Sequence, residues 1–165
     1  YCEVKHSFLI SLFTLLALSI IQCNDNLKSK TIIEKKIVFQ KEGELVLINT
    51  QDEIIANFDI EIAETPYEQQ TGLMYRNSLS QKNGMLFIFE SSEIRSFYMK
   101  NTQIPLDLIF INDQFEIVSI YPNAKPYDQS AITSKIAAQY ILEINAGQSE
   151  QLKLKKGMKI KFNRI

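Results

Sequence analysis

Short apolar runs with a period of two residues, separated by turn signals, recur along this sequence from about residue 44 to its end. In the segment 54–63, the apolar side chains of Phe58 and Ile60 flank the carboxylate of Asp59. This alternation is typical of a strand with one buried face. Further strands are expected over the segments 44–48, 85–89, 95–102, 106–111, 115–121, 140–144 and 158–162, with a loop over 122–137. Many short strands between turns predict a β-barrel or β-sandwich.

One helix start interrupts this pattern. Thr65 can cap a helix, Pro66 suits its first position, and Glu68 completes a capping box. We therefore expect one short helix, about Pro66 to Tyr75.

The first forty residues are predicted to serve export rather than the folded domain. Residues 8–21 form an uncharged apolar run behind Lys5 and His6. The run suits a signal peptide and is shorter than the roughly 20 residues that span a bilayer as a helix. We predict a signal peptide over 1–22, a polar tether over 23–40 and a β-rich domain over 41–165.

Cys23 ends the apolar run and is followed by polar residues. This arrangement resembles a bacterial lipoprotein signal, although Gln22 stands where a small residue is usual. It predicts an envelope lipoprotein that is lipidated on Cys23 and faces the periplasm or the cell exterior, with the membrane as a partner. The alternative is an ordinary secretory signal, or an uncleaved anchor, with an incidental cysteine.

The inventory of reactive side chains excludes much chemistry. The chain has one histidine and two cysteines. Cleavage before Cys23 would remove His6 and Cys2, and lipid would occupy the remaining thiol. Catalysis by histidine or cysteine and a zinc site built on them are then excluded, and we expect no metal and no cofactor. The formal net charge of −1 gives no indication of a nucleic-acid partner.

Five blocks of the sequence, in order, resemble the signature blocks of domain-of-unknown-function family 192. These blocks are Thr71–Arg76, Gly84–Phe89, Phe97–Thr102, Pro105–Ile111 and Tyr140–Gly147. The resemblance covers about residues 54–162. It implies a mainly β fold with one short helix, a small and partly closed β-barrel-like single domain that is often exported. It implies no activity, so no catalytic residue carries over.

Four charged residues within these blocks are candidates for a site: Arg76, Lys100, Asp107 and Glu143. The two carboxylates lie on strands whose faces are otherwise apolar, so we expect both to be buried and compensated. One interpretation is an internal ion-pair network that fixes strand register, in which Asp107 pairs with Arg76 or Lys100.

The other interpretation is a polar pocket. The two cations would hold an anionic group, while the carboxylates and Asn101 would form hydrogen bonds or act as acid and base. Tyr98 and Tyr140 are the expected aromatic neighbours of this pocket. Its occupant would be a small anionic or sugar ligand.

These observations favour a binding or accessory module of the cell envelope, whose partner is such a ligand or another envelope protein. One alternative is a carboxylate-dependent enzyme that acts on an envelope polymer, with Asp107 and Glu143 as its pair. The other alternative is a purely structural docking domain.

Overall fold

The computed structural model describes residues 37–165, which form seven strands and two short helices. The predicted signal peptide, Cys23 and most of the predicted tether lie outside the described residues. The strands are β1 (Gly43–Ile48), β2 (Ile54–Ala63), β3 (Asn83–Phe97), β4 (Leu106–Ile111), β5 (Ile117–Ala124), β6 (Ile132–Asn145) and β7 (Lys159–Arg164). The helices are α1 (Pro66–Thr71) and α2 (Gln148–Gln151). Within residues 37–165, no helix is long and apolar enough to span a membrane.

The seven strands form one curled sheet in the order β5-β4-β6-β3-β2-β1-β7. Neighbouring strands are antiparallel, except for the parallel pair β2–β3, whose connection carries α1. The two edges of the sheet meet at one end, where the Ile117 N–H donates to the Met158 carbonyl at 2.7 Å and the Ile160 N–H donates to the Phe115 carbonyl at 2.9 Å. The predicted mainly β, partly closed barrel-like domain is confirmed, and α2 adds a single unpredicted turn.

Local signals placed several elements correctly. The predicted strands 54–63 and 106–111 match β2 and β4. The capping box at α1 is present, since Thr65 Oγ1 accepts from the Glu68 N–H and the Glu68 carboxylate accepts from the Thr65 N–H. The helix ends at Thr71 rather than at Tyr75, because Gly72 takes a φ of 47° and a ψ of −131°.

β3 joins the predicted strands 85–89 and 95–102 into one strand that ends at Phe97, so the predicted strand is wrong over 98–102, and β6 begins earlier than predicted. β3 and β6 continue into polar sequence, where they pair with each other from Glu93–Ala138 to Phe97–Ile132. The predicted loop over 122–137 is therefore wrong at both ends, because β5 runs to Ala124 and β6 begins at Ile132. Irregular register within the β3–β6 pair hides the two-residue period from the sequence.

The sheet has an apolar cluster on each face. Face A carries Leu73, Phe87, Leu108, Phe110 and Ile141. Face B carries Leu86, Ile109, Ile111, Leu142 and Ile144. Because side chains alternate along a strand, adjacent residues of β4 and β6 belong to opposite faces.

Candidate functional site

A cavity of about 270 Å³ opens on face A, between the end of α1 and the residues of β3 from Phe87 to Phe97. Apolar and aromatic side chains form most of its wall. The apolar and aromatic part of the wall includes Leu73, Phe87, Phe89 and Phe97. The polar part is supplied by Gln69, Gln70, Thr71, Ser96, Tyr98, Thr102 and Glu143. We call this space the Glu143 cavity.

Glu143 supplies the one carboxyl of this cavity's lining in the described part of the chain. It lies on the central strand β6, where its Cα partners are Met85 of β3 and Leu108 of β4. Ile141 belongs to face A and Leu142 to face B, so the alternation of β6 directs Glu143 toward face A.

Burial decides the protonation state of this carboxyl. Glu143 is only 6% exposed. Desolvation raises its pKa from 4.5 to about 8, and no hydrogen bond or ion pair from another described residue offsets that effect. The side chain is therefore mostly a neutral carboxylic acid at pH 7. Such a group can donate one hydrogen bond and accept others.

One wall of the cavity is formed where the residues that follow α1 pack closely against β3. A Cβ on Gly72 would lie 2.9 Å from Phe87 Cζ, so the absence of a side chain lets the loop approach that ring. Phe97 packs edge-on against Phe87 with ring centroids 5.1 Å apart, and against Phe89 at 6.3 Å. These aromatic contacts hold the cavity wall in a defined shape.

Asp107 is fully buried, as expected, but its partners are different from the predicted ones. Its Oδ1 accepts from the Asn123 N–H and its Oδ2 from the Ser149 N–H, both at 2.8 Å. The second bond caps α2, whose N-cap residue, Gly147, has no side chain to do so. The predicted pairing with Arg76 or Lys100 is wrong, and Asp107 ties β4 to the end of β5 and to α2.

Arg76 instead pairs with Glu61, a residue that the sequence did not single out. Arg76 Nη1 lies 2.7 Å from Glu61 Oε2, and both side chains are almost completely buried. The pair borders a second cavity of about 180 Å³, which shares Thr71 and Gly72 with the Glu143 cavity. Glu61 Oε1 also accepts from the Gln40 N–H at 2.9 Å, so the segment before β1 and the loop after α1 both contact this buried carboxylate.

The remaining candidates are dispersed. Lys100 is exposed. Asn101 donates to the Tyr75 hydroxyl at 2.7 Å and does not line the Glu143 cavity. Tyr140 stacks on Phe115 at 5.0 Å, among the residues of face B. Of the predicted pocket, the structure therefore brings together only Glu143 and Tyr98.

This geometry limits the chemistry of the site. Asp107 and Glu143 lie on opposite faces of the sheet, so they cannot flank one glycosidic bond as a carboxylate pair. Among residues 37–165, no cluster of three or more histidine, cysteine, aspartate or glutamate side chains could hold a metal ion. What the cavity offers is an open recess with a largely apolar wall, several neutral polar side chains and a single buried acid, an arrangement suited to binding a small molecule.

Comparison with known proteins places this fold in a family. The family model DUF192, described as Uncharacterized ACR, matches residues 46–162. No curated protein matches the sequence significantly.

Two solved structures are similar to this chain. A proposed transcription regulator from Sinorhizobium meliloti 1021 is 32% identical with a TM-score of 0.72, over 76% of this chain and 97% of that one. A protein of unknown function from Novosphingobium aromaticivorans DSM 12444 is 34% identical with a TM-score of 0.67, over 72% of this chain and 83% of that one. Both share the fold, and neither description states a ligand or a reaction.

Proposed function

Starting from the fact that this chain belongs to the DUF192 family, whose description assigns no activity, we propose that it is an envelope-anchored module that binds a small molecule in the Glu143 cavity. The observation that carries the proposal is that Glu143 is buried without a compensating side chain among the described residues, at the wall of an open and largely apolar cavity. A buried carboxyl without partners costs stability, and natural proteins commonly retain such strain where a site needs it.

The rival functions have less support. An enzyme with two carboxylates would need a second acid in the cavity, where Glu143 is the one that the described residues supply. A purely docking role does not account for the cavity. The regulatory description of the S. meliloti protein is not carried over, because a formal net charge of −1 is unlike that of most nucleic-acid-binding domains.

Ligand retention tests the proposal. The domain from residue 31 onward, purified from its own cells, should carry a bound small molecule in native mass spectrometry. Ser96 lines the cavity and is exposed, so Ser96→Phe should fill the space and abolish the mass shift. Ser78 is an exposed loop residue that is not part of this wall, and Ser78→Phe is the matched control that should keep the ligand.

An unaltered mass in the wild-type domain, together with no binding of any small molecule by nuclear magnetic resonance (NMR), would contradict a ligand-binding role. Equal retention by Ser96→Phe would show that the ligand lies elsewhere.

Membrane anchoring is the second component of the proposal. It is supported by the apolar run 8–21 that ends just before Cys23. Cells grown with a labelled fatty acid should label the protein, and Cys23→Ser should abolish the label and release the protein from membranes. Equal labelling of the variant would contradict lipidation at this residue.

A further inference from the structure

We propose that the ligand of the Glu143 cavity is a small neutral molecule that presents a hydrogen-bond acceptor, such as a carbonyl oxygen, to the Glu143 carboxyl and an apolar body to the surrounding rings. This inference rests on the proposed function and specifies the chemical class of the ligand. It replaces the anionic ligand expected from the sequence, because the predicted cations do not reach this cavity.

The charges around the cavity favour neutrality. The described residues of the lining include no lysine or arginine, so a bound anion would lack a counter-charge. The strands on either side of Glu143 present Met85 and Leu108 as its direct neighbours. Tyr98 is the other titratable group on the wall, and Arg76 is held by Glu61 beside the second cavity.

A cationic ligand is also disfavoured. It would require Glu143 to ionise while 94% of its surface is removed from water, since its exposure is 6%. Burying both members of an ion pair incurs a large desolvation penalty that Coulombic attraction often fails to offset. A neutral acceptor instead leaves the acid protonated and gives it a hydrogen-bond partner, which no described side chain provides.

The size and composition of the cavity define the rest of the ligand. A volume of about 270 Å³ lies below the roughly 300–1,000 Å³ of typical ligand pockets, which limits the occupant to a compact molecule. Phe87, Phe89 and Phe97 present aromatic surface to it. A flat or branched apolar group of fewer than about two rings fits this space.

Four probe molecules that share a phenyl ring and differ in their polar group test the inference. Acetophenone carries a neutral acceptor, benzoate an anion, benzylamine a cation, and ethylbenzene no polar group. Binding is measured at pH 6 from the NMR shifts of the Gly72, Phe97 and Tyr98 amides. We expect acetophenone to bind tightest, with ethylbenzene about tenfold weaker for the loss of one buried hydrogen bond.

The pH dependence of acetophenone affinity tests the role of Glu143 directly in the wild-type protein. Because the pKa of Glu143 is about 8, its neutral fraction falls about tenfold between pH 6 and pH 9, and acetophenone affinity should fall equally. Glu143→Gln keeps a donor at every pH, so its affinity should be the same at both values. Glu90→Gln, at an exposed glutamate outside the cavity wall, should leave the pH dependence of wild type intact.

Tightest binding of benzylamine or benzoate would overturn the proposed ligand class, as would an acetophenone affinity that does not change with pH. If none of the four probes shifted the three amides, the proposed ligand class would be overturned, and the ligand-binding function would fail with it only if native mass spectrometry also showed no retained molecule. The two failures are therefore distinguishable.

Discussion

Replacing Asp107 with asparagine should destabilise the domain by about 3 kcal/mol, because hydrogen bonds to a charged group contribute roughly 1.5–3 kcal/mol each. Asp107 accepts from two buried backbone N–H groups, those of Asn123 and Ser149. Asparagine keeps one acceptor oxygen but presents an NH₂ donor to the other N–H. One donor is then left without a partner at the start of α2 or at the end of β5.

Thermal melts measure this effect. For a domain of this size, about 3 kcal/mol should lower the melting temperature by roughly 10 °C. Asp113→Asn is the matched control, because Asp113 is an exposed turn residue between β4 and β5 and its variant should melt within about 2 °C of wild type. A melting temperature of Asp107→Asn equal to that of wild type would contradict the structural role assigned to this carboxyl.

Replacing Glu143 with glutamine should have the opposite effect, and its size should depend on pH. The pKa of Glu143 is raised to about 8 in the folded state from 4.5 in the unfolded chain. Between these values the folded state binds more protons than the unfolded state, so wild-type stability falls as pH rises. At one pKa unit per 1.36 kcal/mol, the loss is on the order of 3 kcal/mol at pH 7 and about 5 kcal/mol above pH 8.

Glutamine cannot ionise, so the variant should lack this loss. Urea unfolding of both proteins should show similar stability near pH 4 and a growing advantage for Glu143→Gln toward pH 9. Glu90 is an exposed glutamate on β3, and Glu90→Gln should give a curve parallel to that of wild type. Parallel curves for Glu143→Gln and wild type would show that Glu143 is compensated in the folded protein.

Local signals in the sequence predicted much of the fold for identifiable reasons. The two-residue period located β2 and β4, and the apolar neighbours of Asp107 and Glu143 correctly indicated that both side chains are buried. The capping box at Thr65 located the start of α1. Each of these signals depends on neighbours within a few residues along the chain, which is what a single sequence displays.

The site was less predictable because its contacts connect distant parts of the chain. The apolar neighbours of Asp107 and Glu143 predicted that both side chains are buried. That pattern does not show which groups form hydrogen bonds or ion pairs with them. The two backbone donors to Asp107 lie 16 and 42 residues away. Glu61 was missed because its partners are also distant in sequence: Arg76 follows α1, and the Gln40 N–H that donates to Glu61 lies 21 residues upstream.

The cavity itself left no distinct signal in the sequence. Phe87, Phe89 and Phe97 have the composition of ordinary core residues, and nothing in their spacing shows that space remains between them. Gly72 lies inside the predicted helix, whereas in the structure it ends the helix and allows the loop to lie against Phe87. The wall of the Glu143 cavity could have been predicted from the sequence only by placing Glu143 and these three rings on one face of the sheet.

The proposed function depends on Glu143 being a neutral acid inside the cavity at physiological pH. The most direct measurement is an NMR titration that follows the side-chain carboxyl carbon of Glu143 in the ¹³C-labelled domain, assigned by its absence in Glu143→Gln. A midpoint near pH 8 is expected, because burial alone perturbs the pKa of this group. A midpoint near the unperturbed glutamate value of about 4.3 would show a solvated or paired carboxylate and contradict the proposed binding site.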